Sequence, residues 1–135
     1  MDAILSIKPK YVTEIKKGKK KYEFRRTFSR NIRCVYIYAT APIGKIVGTF
    51  EVKRVFEDTP KMLWKRFKDS SGISEREFFE YFKGVKSGFA VEIKSFHPCK
   101  PYDPQILIPG FQPPQSFIYI PKKEPENSKL TDFLH

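Results

Sequence analysis

The sequence predicts an α+β domain: a small mixed or antiparallel sheet curled into a barrel, with two or three short helices between its strands. Three observations carry this reading. Strand-like runs are many and scattered along the chain, and the helical stretches between them are short. The two strongest runs, residues 35–39 and 46–55, flank a turn signal at Pro42 and Gly44 and are close enough to pair as a hairpin. At 135 residues, with 40% hydrophobic residues and 13 Phe, the chain suits one domain with a real core rather than disorder. Strands interrupted by a few helices, rather than alternating strictly with them, favour α+β over α/β.

The elements follow in order. Residues 3–7 are a short apolar start. Pro9 suits the first turn of a helix over about residues 10–17, where its missing N–H is not needed. Tyr11, Val12 and Ile15 give that helix an apolar side, and Gly18 ends it in a left-handed turn. Residues 20–26 read as a strand. Tyr22 and Phe24 alternate with Lys21, Glu23 and Arg25, so one face would enter a core and the other would show a charged row to solvent. After the hairpin, Thr59 and Pro60 read as the N-cap and first position of a helix through Leu63, Trp64 and Phe67. Ser74 and Glu77 form a capping box for a helix carrying Phe78, Phe79 and Phe82, closed by Gly84. Residues 88–96 are another strand, with Phe89, Val91 and Ile93 on one face. Residues 98–114 are rich in proline and are expected to be irregular; residues 116–120 are a last short strand. The organisation expected is a domain over residues 1–121 and a flexible charged tail over 122–135.

The net charge is +11, with a sequence pI near 9.7. Such an excess favours polyanions as partners, RNA or DNA ahead of an acidic membrane surface. The charge is densest at residues 16–26, with seven basic side chains against the single acid Glu23. On pattern alone this stretch also fits a solvated strand with Glu23 salt-bridged to its neighbours. Cys34 lies in an apolar run and reads as a buried thiol. His97 and Cys99 have no second Cys/His pair to complete a metal site, so no metal and no cofactor is expected. No signal peptide and no apolar run of spanning length is present, which points to an intracellular, cytoplasmic protein without membrane contact.

The element order and the stretch G-K-K-K-Y-E-F-R-R together resemble the ASCH domain, a PUA-like β-barrel family associated with RNA. The family pattern G-x-K-x-x-E-x-R falls on Gly18, Lys20, Glu23 and Arg25, and the late P-P-Q-S-F on residues 113–117. The resemblance covers residues 1 to about 121. It implies a cleft beside this strand that takes RNA or a nucleotide, through Lys8, Lys20, Lys21, Tyr22, Glu23, Arg25 and Arg26. Lys20 and Arg25 can bind phosphate, and Glu23 can accept from a base amino group or act as a general base. Tyr22, Tyr36 or Tyr38 can stack on a base. Some relatives hydrolyse acetylcytidine and some similar proteins cut RNA, so Lys20 and Glu23 are the candidate catalytic pair if the chain is an enzyme. The amidohydrolase relatives use a lysine, a threonine and a glutamate. Their lysine matches Lys20, their threonine falls on Glu23, and their glutamate falls in the link holding Asp69. A regular strand would place Lys20 and Glu23 on opposite faces, so their cooperation requires a bulge, or a strand that starts after Lys20.

Two further readings concern other partners. The helices of residues 60–82 are too rich in phenylalanine to be a free DNA-binding pair and are expected to pack on the barrel. The C-terminal residues Leu130, Phe133 and Leu134 resemble the PIP box that docks on the sliding clamp of DNA replication, with Asn127 where glutamine is usual.

Overall fold

The computed structural model describes residues 1–113 and 117–120. Its strands are β1 (Asp2–Ile7), β2 (Tyr22–Arg25), β3 (Cys34–Ala39), β4 (Lys45–Asp58), β5 (Gly88–Tyr102) and β6 (Phe117–Ile120). They form one sheet in the order β2-β5-β4-β3-β1-β6. β1 runs parallel to β3 and every other pairing is antiparallel, so the sheet is mixed. β3 and β4 are the expected hairpin. β2 and β6 do not pair among the described residues, so the curled sheet is a half-barrel with two edges rather than a closed one. Three helices, α1 (Pro9–Lys16), α2 (Pro60–Phe67) and α3 (Glu75–Tyr81), lie between the strands.

The caps act as their residue types dictate. Thr59 accepts from the Met62 N–H, and Ser74 accepts from the Glu77 N–H at 3.1 Å. Gly18 and Gly84 take the positive φ that ends α1 and α3. Three clusters fill the interior. Ala3, Leu5, Val35, Ile37, Phe50 and Val91 meet Val12 and Ile15 of α1 inside the curl. Phe24 and Ala90 meet Leu63, Phe67 and Phe78 under α2 and α3, as expected of those helices. Ile4, Tyr38 and Ile46 are covered on the other side by Phe111. Full burial of Phe78 contributes roughly 2–3 kcal/mol, so the α3 anchor is strong for a seven-residue helix.

Several expectations need correction. Residues 98–114 are not irregular throughout: β5 runs to Tyr102, with Pro98 and Pro101 inside it. The register explains how. Gly48 pairs with Pro98 while Ile46 pairs with Tyr102, so β5 carries a bulge within residues 99–101 that takes in Pro101, and Pro98 stands at its edge. Gly48 is required at this crossing, since a Cβ there would lie 2.8 Å from the His97 carbonyl oxygen. Cys34 is half-buried rather than buried. The strand expected at 20–26 is shorter, and its charged face is not solvated: Glu23 and Arg25 are each only 6% exposed. The clamp-like residues Leu130, Phe133 and Leu134 lie outside the described residues, as do Gln115 and Ser116. No described helix is long and apolar enough to cross a membrane.

Candidate functional site

Lys20 precedes β2, in the link that follows Gly18. Its backbone N–H donates to the Glu14 carbonyl, which fixes the link against α1. Lys21 then donates to the Ser70 carbonyl and accepts from the Ile93 N–H, which starts β2 beside β5. The strand thus begins after Lys20, and Lys20 and Glu23 meet across three residues. Lys20 Nζ stands 3.8 Å from Glu23 Oε1, and Arg25 Nη1 donates to Glu23 Oε2 at 3.0 Å. Glu23 and Arg25 are two residues apart and therefore share a face of β2.

All three side chains are buried. Lys20, at 3% exposure, donates from Nζ to the Ser71 carbonyl at 2.8 Å and lies over the rings of Tyr11 and Phe24. Such contacts compensate the desolvated ammonium in part. Burial still pushes the Lys20 ammonium below its ordinary pKa; Glu23 pulls it back up and Arg25 lowers it further. Gly72 makes the arrangement possible: its φ is +63°, and a Cβ there would sit 2.4 Å from Lys20 Cβ.

Above the triad lies an open cleft of about 850 Å3. Ser6 and Ile7 at the end of β1, with Lys8 and Thr40, line one side. Glu23, Phe24 and Arg25 of β2 line the floor, and Tyr11, Arg76, Glu77, Glu80 and Tyr81 come from α1 and α3. Lys20 stands behind Glu23 and is not part of the lining. Tyr11 donates to Glu77 Oε1 at 3.1 Å, and Glu77 also pairs with Lys10. Those bonds, that of Lys10 first, hold the Glu77 carboxyl below its usual range. Burial, then the bond to Glu77, raises the Tyr11 phenol. Arg26 donates from Nε and Nη2 to the Tyr81 carbonyl at 2.9 and 2.6 Å, and its backbone N–H donates to the Tyr81 hydroxyl. This fixes the Tyr81 ring at the cleft wall.

The ASCH domain profile matches residues 5–100. The chain belongs to the ASCH domain family. A relative named an ASCH domain-containing ribonuclease, from Zymomonas mobilis subsp. mobilis, is 30% identical over 129 residues, spanning 91% of this chain and 86% of the relative. The crystal structure of ASCH from Zymomonas mobilis superposes with a TM-score of 0.82 at 27% identity, covering 98% of this chain and 94% of that one. A mutant form of the same protein gives 0.82 at 26%, covering 98% and 97%.

Of the residues that the sequence singles out in this ASCH chain, the structure brings Lys8, Glu23 and Arg25 to the cleft, with Lys20 behind. Lys21 points outward, exposed. Tyr22 turns to the Phe67 ring, 4.3 Å away. Arg26 is engaged by Tyr81. Tyr36 and Tyr38 pack in the cluster beneath Phe111, away from the cleft. Asp69 is exposed in a short 3-10 turn and does not line the cleft. The sequence reading missed Tyr11, Arg76, Glu77 and Tyr81. A signal existed for the α3 members: Arg76, Glu77, Glu80 and Tyr81 recur at the spacing of one helix face, and that face is polar and aromatic rather than apolar.

Proposed function

We propose that the cleft takes one nucleotide of an unpaired RNA strand and that the chain is an RNA-binding ASCH protein. The observation that carries this is the composition of the cleft. Its volume suits a single nucleotide. Tyr11 and Tyr81 supply ring surface for a base, Lys8 and Arg76 supply cations at the rim for phosphate, and Glu23 offers its carboxylate as an acceptor for a base amino group. Arg25 orients that carboxylate, and Lys20 holds its back.

A second reading is favoured by the relative named as a ribonuclease. Here Glu23 takes the proton of a ribose 2′-hydroxyl, the freed oxygen attacks the adjacent phosphorus, and the 5′-oxygen leaves with a proton from water at the open mouth. Arg76 neutralises the phosphate. Both carboxylate oxygens of Glu23 already face a buried cation, Lys20 at 3.8 Å and Arg25 at 3.0 Å, an arrangement that fixes the group in place, which is why binding is placed first.

One assay separates the readings. A labelled unstructured RNA is incubated with wild type, Arg76→Ala and Glu23→Gln, and both anisotropy and product length are recorded. The binding reading expects weaker binding in Arg76→Ala and no shortened product. Shortened product that disappears in Glu23→Gln, while binding persists, selects the ribonuclease. No binding at low salt contradicts both.

A further inference from the structure

The cleft does not account for the charge of the molecule. Three basic side chains, Lys8, Arg25 and Arg76, line it against three acids, Glu23, Glu77 and Glu80, while the chain as a whole carries +11. Much of the excess lies on α2 and what adjoins it. Lys61, Lys65 and Lys68 recur at steps of four and three, all exposed, on the side of α2 away from the buried Leu63 and Phe67. At 1.5 Å per residue they stand about 6 and 4.5 Å apart along the axis. Beyond Lys68 the row continues across elements. Ser70 accepts from the Lys21 N–H at 2.8 Å, and the Lys21 carbonyl accepts from the Ile93 N–H at 3.0 Å, so the backbone of exposed Lys21, and of Lys94 after Ile93, adjoins the link that follows Lys68. Arg66 is not part of this row: it lies round the helix from it, 4.9 Å from the centroids of both Phe56 and Phe67.

Three facts set this band apart from an ordinary solvated helix face. None of the five lysines lies within salt-bridge distance of a carboxylate among the described residues. Asp69 is the single acid between Thr59 and Ile73. And α2 has no acid in its first turn, where Lys61 instead meets the unfavourable end of the helix dipole. Like charges at this spacing also repel. A polyanion laid along the band relieves each of these costs together.

We propose that this band is a track for the phosphate backbone of single-stranded RNA, leading to the cleft. The inference rests on the reading of the cleft as an RNA site. The two surfaces meet at one short link: Lys68 opens it, Ser71 holds Lys20 behind Glu23, and Ile73 lines the cleft. The base is read in the cleft and the flanking phosphates are held outside it.

The test measures binding of a long unstructured RNA and of a trinucleotide across a salt series, using the full chain. Lys61→Gln/Lys65→Gln/Lys68→Gln should lower the slope of log affinity against log salt by about 2, from three lost contacts at about 0.7 each on single strands. Trinucleotide affinity should not change. Lys45→Gln/Lys100→Gln, outside the band, should leave the slope as in wild type. An unchanged slope in the triple variant, with wild-type binding intact, overturns the track and leaves the cleft reading standing. So does a trinucleotide loss equal to that of the long RNA, or a slope that falls as much per charge in the control. Wild type that binds neither RNA at low salt overturns track and cleft together.

Discussion

The Lys20–Glu23–Arg25 triad and the α2 band are built from the same residue types and are read by opposite rules. In the triad every charge is buried, and the acid sits between two bases within 3.8 Å. In the band every lysine is exposed and none lies within salt-bridge distance of an acid among the described residues. Burial makes the triad matter for stability, because a desolvated ion that loses its partner cannot turn to solvent. Exposure makes the band nearly irrelevant to stability and available to a ligand. A run of basic residues in a sequence therefore says little until it is known which side of the surface each one takes.

This contrast can be broken in four places, taken from the largest effect to the smallest. Glu23→Ala leaves Lys20 and Arg25 buried against each other and should cost about 3–5 kcal/mol in urea unfolding; a loss below about 1 kcal/mol would mean that the triad is solvated. Gly72→Ala forces a Cβ onto Lys20 Cβ and a left-handed backbone on alanine, for about 2–4 kcal/mol. The third concerns pH. Lys20 has its folded pKa depressed, so between that value and the unfolded 10.5 the unfolded chain binds more protons, and stability rises with pH. The stability of wild type minus that of Lys20→Met should grow as pH climbs towards 10.5. Taking the difference cancels the half-buried Tyr11 and Tyr81, whose raised values act in the opposite sense above about 10. A flat or falling difference contradicts a buried ammonium. Last, the triple lysine-to-glutamine variant of α2 should unfold within about 0.5 kcal/mol of wild type.

Much of the fold was legible because local signals agreed with it. Pro9, Thr59–Pro60 and Ser74 marked helix starts that the structure keeps, and the hairpin of β3 and β4 followed from its apolar runs. The end of β5 was not legible: proline argues against a strand, and only the partner β4 shows that a bulge absorbs it. The site was legible in its centre. The requirement that β2 start after Lys20 was visible from the spacing, and it is met. The walls were not, because Tyr11 reads locally as a core residue of α1 and Tyr81 as part of an aromatic helix; what turns both towards Glu23 is the packing of α1 and α3 across the open side of the curled sheet. Nor does alternation reveal that Glu23 and Arg25 face inward. One face of β2 packs under α2 and α3, and the other is the floor of the cleft between α1 and α3.

Everything proposed for this protein turns on RNA entering the cleft above the triad. Titration of a short unpaired RNA into 15N-labelled protein, followed by amide chemical shifts, tests it without disturbing any buried charge. Saturable shifts are expected at Lys8, Tyr11, Glu23, Arg25, Arg76 and Tyr81, with weaker shifts at Lys61, Lys65 and Lys68 that fade as salt is raised. RNA that binds while the six cleft amides stay still would contradict it.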